Sequence, residues 1–413
     1  MELRRFLLLQ GVCSPFFACL AERLIREGHR VHKINFNGGD AAYWRGMPAR
    51  SFRGPVTDLP VFLKSTFQEH QISDIVLFGD RRPVHTSAVE LAQSSGIRVH
   101  VFEEGYFRPH WVTLERDGVN AHSLLPRDPV WYRVTGKRLG TLSAPETFRS
   151  TLRVRATHDV LYHLASLSNP LLYPGYRTHA PHVAPVMYAG FVRRYISNLY
   201  HAKRDATVIA ALIAGRRPYY LLPLQLNSDA QIRDYFSFRD MPEVMAYVMA
   251  SFARQAPPDS RLVIKNHPLD MGLVSYPRII AGLARQFGVA GRVDYLETGN
   301  LEALVQHARG TVTVNSTVGG VALQFGCPTT TLSDPIYNLT GLTFQGELDH
   351  FWQHGEPPDQ ELFHCFRTTV IQATQINGGF YCKRGIELAV QNAVGPLTAE
   401  ISPLEALLRA TTS

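Results

Sequence analysis

RLVIKNHPLD, residues 261–270, reads as a buried strand that ends abruptly. Leu262, Val263 and Ile264 run together without polar alternation, as in a parallel strand covered on both faces. Lys265, Asn266, His267 and Pro268 follow. A turn needs only the Asn and the Pro. A cation and an imidazole at the strand tip call for an anionic group beside them.

The same rhythm continues on both sides. RPYYLLPLQ (217–225), RVDYLE (292–297), GTVTVNS (310–316) and CPTTTL (327–332) read as strands. MPEVMAYVMASFARQ (241–255), YPRIIAGLARQFG (276–288), NLEALVQHAR (300–309) and VGGVALQFG (318–326) read as the helices between them. The first hundred residues repeat the pattern. RRFLLLQG, RVHKINF, DIVLFGD and IRVHVFEEG are strands, and the helical stretches from Pro15, Val56 and Thr86 separate them. Such alternation implies parallel βαβ units. The expectation is an α/β chain of two Rossmann-like domains facing across a cleft. The expected N-terminal domain is 1–205. A second Rossmann-like domain at 206–385 and a helical tail at 386–413, packing back on the first domain, follow it.

Residues 120–205 interrupt the alternation with a stretch rich in Pro, Tyr, His and Arg. Helices broken at Pro170, Pro174, Pro181 and Pro185 are expected here. Either their aromatics pack inward, or the segment touches lipid through Tyr and Trp rings and Arg and Lys head groups.

Composition narrows the possibilities. The 413 residues are enough for two cores, and an apolar share of 45% is ordinary for a globular protein. No run of eighteen apolar residues predicts a membrane span. The apolar run near the N-terminus is short, enters a Gly turn and lacks a small-residue cleavage site, so Phe6–Gln10 is read as a first strand. Five cysteines, an odd number at spacings that suit no zinc motif, fit a reducing cytosolic compartment. The net charge of +7 suggests an anionic partner: a phosphorylated substrate, an anionic lipid surface or nucleic acid. Nucleic acid is the weakest of these, since there is no basic arm, zinc finger or RNP-like strand.

In open parallel sheets, ligands bind beyond the carboxyl ends of the strands, so the residues there are the candidates. After IRVHVF come Glu103, Glu104 and Gly105. These acids are either turn or cap residues, or an acid-base pair tuned by burial and by each other. After YYLLPLQ, with Gln225 at its end, come Asn227, Ser228 and Asp229. Asp229 either caps the next helix or faces a cleft as a carboxylate. Lys265, Asn266 and His267 suit a phosphate or carboxylate. Asn315, Ser316 and Thr317 put two hydroxyls at a helix N-terminus, a natural phosphate seat, without the spacing of a P-loop. Gly319 and Gly320 read as close-packing residues. Arg81 or Arg82, after DIVLFGD, meets either a sugar carboxylate or a surface acid. Acids in one half and cations with hydroxyls in the other suit glycosyl transfer from a nucleotide sugar, and no metal is required if Lys, His and a helix N-terminus neutralise the leaving phosphate.

The ordered set EEG (103–105), HP (267–268) and ST (316–317) resembles the motif trio of GT-B glycosyltransferases that use CMP-sugars. QGVCSPFF (10–17), FEEGYFRPHWVTLE (102–115), PLQLNSDAQI (223–232) and VNSTVGGVAL (314–323) resemble capsule polysaccharide proteins of the KpsS/LipB type over nearly the whole chain. That resemblance implies a retaining β-Kdo transferase. It would move Kdo from CMP-β-Kdo to lyso- or phosphatidylglycerol at the inner face of the cytoplasmic membrane, beginning a poly-Kdo capsule linker. It implies no cofactor beyond the donor CMP-Kdo. Expected partners are the lipid acceptor, the membrane surface, a second capsule Kdo transferase and the export machinery.

Carried over residue by residue, Asp229 becomes the nucleophile and Glu104 the acid-base group, with Glu103 in support. His267 binds the CMP phosphate with help from Lys265, and Ser316 and Thr317 seat it. Gln225, Asn266, Gly11 and Arg81 are further substrate contacts. Two-module relatives of the KpsC type carry EDG and QVEDDAS where this chain has EEG and QLNSDAQ, so Asp229 stands without an acidic neighbour. Chemistry agrees: loss of CMP leaves oxocarbenium character that a carboxylate can trap, as in retaining glycosidases. The rival readings are a CMP-sialic acid transferase, a nucleotide-sugar epimerase, and a non-catalytic assembly or export factor on the same scaffold.

Overall fold

A computed structural model of the chain describes residues 3–177, 184–215, 217–226 and 238–412. Asp229 and its neighbours Asn227 and Ser228 lie outside the described residues. The chain divides into two units. The first comprises Met1–Pro126, Lys137–His179 and Arg367–Ser413, and the second Arg127–Gly136 and Ala180–Phe366.

In the first unit, β1 (Arg5–Leu8), β2 (Arg30–Asn35), β3 (Arg50–Ser51), β4 (Asp74–Phe78) and β5 (Arg98–Glu104) are parallel, in the spatial order β3-β2-β1-β4-β5. β6 (Trp111–Arg116) then adds antiparallel to β5. Period-2 alternation feeds both faces. Phe6 and Leu8 pack with the helices Phe16–Arg26 and Lys383–Thr398. Leu7 and Leu9 pack with the helices Leu59–His70 and Pro83–Ser94. Each such fully buried side chain contributes roughly 1.5–3 kcal/mol.

The second unit has β7 (Tyr219–Pro223), β8 (Arg261–Lys265), β9 (Val293–Leu296), β10 (Gly310–Thr313) and β11 (Thr329–Thr331), all parallel, in the order β11-β10-β7-β8-β9. Tyr220 and Leu222 face the helix Met241–Gln255, while Tyr219 and Leu221 face Ile209, Leu212 and Leu304. The chain then returns to the first unit, where β12 (Gln375–Asn377) pairs antiparallel with β6. Both sheets therefore have Rossmann-like order, with strands added first to one side of the founding strand and then to the other. The fold is α/β with two such units, the make-up of the GT-B class.

Three features differ from the sequence reading. The antiparallel strands β6 and β12 were not expected, because WVTLER and QIN are short and sit among turn residues. The division between units falls at 179/180 rather than at 205/206. The helix Ala184–Ile213 belongs to the second unit because it carries Arg194, Asp205, Ile209 and Leu212 into that unit's interior. The return to the first unit comes at 367 rather than 386, because β12 completes the first sheet. Helices fill the Pro-rich region at Leu152–Ser166, Asn169–Leu172 and Ala184–Ile213, with Pro170 in the first turn of the second of these. No helix among the described residues is long and apolar enough to cross a membrane.

Candidate active site

The order of each sheet reverses at its founding strand, β1 against β4 and β7 against β10. That reversal opens a crevice at the carboxyl ends. The candidate residues lie around these two places, and each unit is described by itself.

In the first unit, the loops after β1 and β4 are tied together: Arg82 Nη1 donates to the Gly11 carbonyl (2.8 Å). The Arg82 guanidinium also lies over the Phe78 ring (5.0 Å). Gly11 has no room for a Cβ, which would sit 2.9 Å from the Phe17 ring. Arg81 is exposed, so it is Arg82 that the β4 loop turns toward β1. Gln10 is buried, and its amide donates to Tyr162 and Tyr176 hydroxyls (both 3.0 Å). Tyr162 in turn donates to Asp40 (3.1 Å), whose carboxyl burial pushes up. Lys33, also buried, is pushed down to about 8 by desolvation, with the Asp40 carboxylate opposing.

Glu103 and Glu104 end β5 and point to opposite sides, as adjacent strand residues must. Glu103 leans toward Gly79, where an added Cβ would stand 3.2 Å from its Oε2. Its Oε1 accepts the Glu104 backbone N–H (2.9 Å). Burial pushes the Glu103 carboxyl up to about 7; the Glu104 charge adds to this, and Arg82 and Arg108 oppose it. Glu104 instead pairs with Arg155 (3.2 Å) and accepts from the Tyr381 hydroxyl (3.5 Å). The Arg155 guanidinium rests on the Tyr381 ring (4.7 Å). Two neighbouring carboxyls therefore have two environments, one poised to exchange a proton near neutrality and one held by a cation.

Behind them, buried Glu115 is also pushed up to about 7 by desolvation, and it accepts from Tyr106 (2.7 Å) and from Ser123. The Tyr106 hydroxyl accepts the Asn120 N–H (2.7 Å) and so fixes the loop after β6. Cys13, in the β1 loop, is pushed up to about 12 by burial, which keeps it a neutral thiol.

In the second unit, the reversal is also bridged. Gln225 donates to Asn315 Oδ1 (2.6 Å) and accepts the Asn315 N–H (3.1 Å). Ser316 caps the helix Thr317–Gln324 by accepting the Val318 N–H (3.2 Å), and its carbonyl accepts the Tyr337 hydroxyl (2.5 Å). Thr317 is exposed in the first turn of that helix. Gly319 is a close-packing residue: a Cβ there would meet the Tyr337 hydroxyl at 2.2 Å. Gly320 is not, since nothing lies within 4 Å of its Cβ position.

The β8 tip is built on buried charge. Lys265 is buried and donates to the carbonyls of Asn266 (3.0 Å) and Glu297 (3.4 Å). Burial, then the Arg194 charge, pushes it down to about 8. Asn266 holds the turn, accepting the His267 N–H (2.8 Å) and donating to Glu297 Oε2 (3.0 Å). His267 Nδ1 accepts the Leu269 N–H (3.1 Å), so in the neutral ring the proton sits on Nε2.

Arg194, from the helix Ala184–Ile213, braces the whole loop. It binds Asp270 (2.8 Å), Glu297 (3.2 Å) and the His267 carbonyl (3.1 Å). Asp205 of the same helix accepts the Glu297 and Thr298 N–H groups (both 2.9 Å). The sequence reading missed Arg155, Tyr381 and Arg194. No local motif marks them; each reaches its site from a distant segment. Among the described residues, no group of three or more His, Cys, Asp or Glu side chains is placed to hold a metal.

Residues 73–381, which include both carboxyls, the HP turn and the Ser316 cap, match the model of the family described as capsule polysaccharide biosynthesis protein. This chain belongs to that family. Relatives in it include the Escherichia coli "Capsule polysaccharide export protein KpsS", 35% identical over 92% of this chain and 97% of that one. The "Capsule polysaccharide modification protein LipB" of Neisseria meningitidis serogroup B is also 35% identical, over 91% of each chain. Among solved structures, Thermosulfurimonas dismutans KpsC, beta Kdo 2,7 transferase, is similar over 95% of this chain and 99% of that one, at 14% identity and a TM-score of 0.45.

Proposed function

We propose that this family member is a retaining β-Kdo transferase. Its reaction carries Kdo from CMP-β-Kdo, without a metal, to a lyso- or phosphatidylglycerol acceptor at the inner membrane face, and starts a capsular poly-Kdo linker. The observation that carries group transfer is the Glu103 carboxyl, held near neutrality at the carboxyl end of β5 beside a cation-paired Glu104. The choice of Kdo and of the lipid is what the resemblance of the EEG, HP and ST motifs and the blocks around them to KpsS/LipB-type proteins implies.

In this reading Glu103, rather than the Glu104 that the resemblance implies, takes the acid-base role, because burial pushes its carboxyl up to about 7, and the Glu104 backbone N–H orients it. Asp229 is the nucleophile. His267 donates from Nε2 to the departing phosphate, and Ser316 and Thr317 at the helix N-terminus seat the same anion. Lys265, Asn266, Gln225 and Arg194 hold those loops rather than touching the sugar. Gly11 and Arg82 shape the crevice of the first unit, with Arg81 exposed beside it.

The test is mass spectrometry of the purified protein with CMP-Kdo and phosphatidylglycerol. A lipid product heavier by one Kdo is expected, and an adduct on Asp229 when acceptor is withheld. Turnover of CMP-sialic acid or of UDP-N-acetylglucosamine in place of CMP-Kdo would replace this reading with one of the two enzymatic rivals. A second reading, an export factor without catalysis, draws on the wording of the E. coli relative's name. Under it, Asp229→Ala would leave capsule assembly intact.

A further inference from the structure

The helix Ala184–Ile213 is amphipathic the wrong way round. Its inward face carries Arg194 and Asp205, both buried, before Ile209 and Leu212. Its outward face carries Val192, Tyr195, Ile196, Leu199 and Tyr200, a strict i, i+3, i+4, i+7, i+8 stripe. All five are exposed, from 49% at Ile196 to 79% at Tyr200. A helix that buries its charges and shows water its apolar stripe is shaped for an apolar neighbour. In the first unit, the run Leu152–Leu172 has the same character: Leu161, Leu164, Leu167, Leu171 and Leu172 are exposed, Leu171 to 87%.

Charge identifies the neighbour. Residues 147–204 hold eight of the chain's 42 Lys and Arg but one of its 35 Asp and Glu, namely Asp159. This stretch therefore carries a formal +7, the whole net charge of the protein, and the remainder is balanced. Arg193, Lys203 and Arg204 are exposed close to the apolar stripe, and Arg153 and Arg177 near the leucine run. Tyrosines beside cations and aliphatic residues, on a helix lying along a surface, match the polar–apolar boundary of an anionic bilayer. A second copy of this chain would bring like charge to like charge.

We infer that the outward stripe of the helix Ala184–Ile213 is the surface by which the protein docks on an anionic phospholipid bilayer. This rests on the proposed lipid acceptor for its purpose, but not for its test. The full-length protein is sedimented with vesicles of phosphatidylcholine alone or mixed with phosphatidylglycerol. Binding at least about tenfold stronger to the mixed vesicles, and weakened by salt, is expected. Ile196→Glu with Leu199→Glu should reduce it at least about tenfold. Arg193→Gln, Lys203→Gln and Arg204→Gln, which leave the stripe alone, should reduce it about fivefold per cation.

Equal binding to both vesicle types, no binding, or unchanged binding by the glutamate variant with a wild-type unfolding curve would each overturn the inference. So would a wild-type dimer that the glutamate variant dissolves without affecting vesicle binding. Transfer to a water-soluble glycerophosphate acceptor should be the same in wild type and both variants. Transfer without vesicle binding would sink the docking surface and leave the reaction standing; vesicle binding without transfer would do the reverse.

Discussion

The two units use the same topology for opposite chemistry. In each, the sheet reverses order beside its founding strand, and a hydrogen bond bridges the loops there: Arg82 to Gly11 in the first, Gln225 with Asn315 in the second. The first unit then places carboxyls at the rim and leaves one of them, Glu103, poorly compensated. The second buries its cations, Lys265 and Arg194, under the loop and balances them with Asp270, Glu297 and backbone carbonyls. A carboxyl is left raised at the first unit's strand end, and cations are buried and compensated at the second unit's. Rossmann order fixes where a site is, and the compensation of charge around it fixes what it does.

The sharpest way to break this contrast is to exchange the two acids' roles. Glu103→Gln should lower the transfer rate by about 10²–10⁴-fold, the range for an acid-base group. Glu104→Gln, which loosens the Arg155 and Tyr381 tethers, should lower it by about tenfold. The reverse order in a CMP-Kdo transfer assay would move the acid-base role to Glu104. Removing the brace of the second unit comes next. Arg194→Ala leaves Asp270 and Glu297 without their buried cation and should destabilise the protein by about 3–5 kcal/mol in urea unfolding. A loss below about 1 kcal/mol would mean that the His267 loop does not depend on it.

Close packing at the second reversal is a smaller effect. Gly319→Ala drives a methyl into the Tyr337 hydroxyl that holds Ser316 and should destabilise by about 1–3 kcal/mol. Gly320→Ala, one residue on and in open space, should be neutral or stabilise by up to about 1 kcal/mol. Thermal melts of the pair decide this.

The smallest effect is in pH. Glu103 titrates near 7 in the folded protein against an ordinary value of 4.5, so folding favours its protonated form. Relative to Glu103→Gln, wild type should hold its full stability below the ordinary value and lose about 1–2 kcal/mol as pH rises through 7, after allowance for partial exposure. Parallel unfolding curves for the two proteins from acid to pH 8 would show that the carboxyl is not perturbed.

The sequence by itself determined the parallel strands. Runs such as LVI in β8 and DIVLF in β4 lack polar alternation, and only burial on both faces accounts for that. It also located the strand-end candidates, because ligand sites in such sheets lie at carboxyl ends. Tertiary structure decided how those candidates divide. Glu103 and Glu104 are chemically identical neighbours; their difference arises from Gly79 on one side and from Arg155 and Tyr381 on the other, more than 50 and more than 270 positions away in the chain for the last two. Lys265 and Asn266 read as ligand contacts from their position alone; in the fold, backbone carbonyls accept from Lys265 and the Glu297 carboxylate accepts from Asn266. Local sequence records which groups a strand end carries, whereas solvation and opposing charge depend on what folding brings against them.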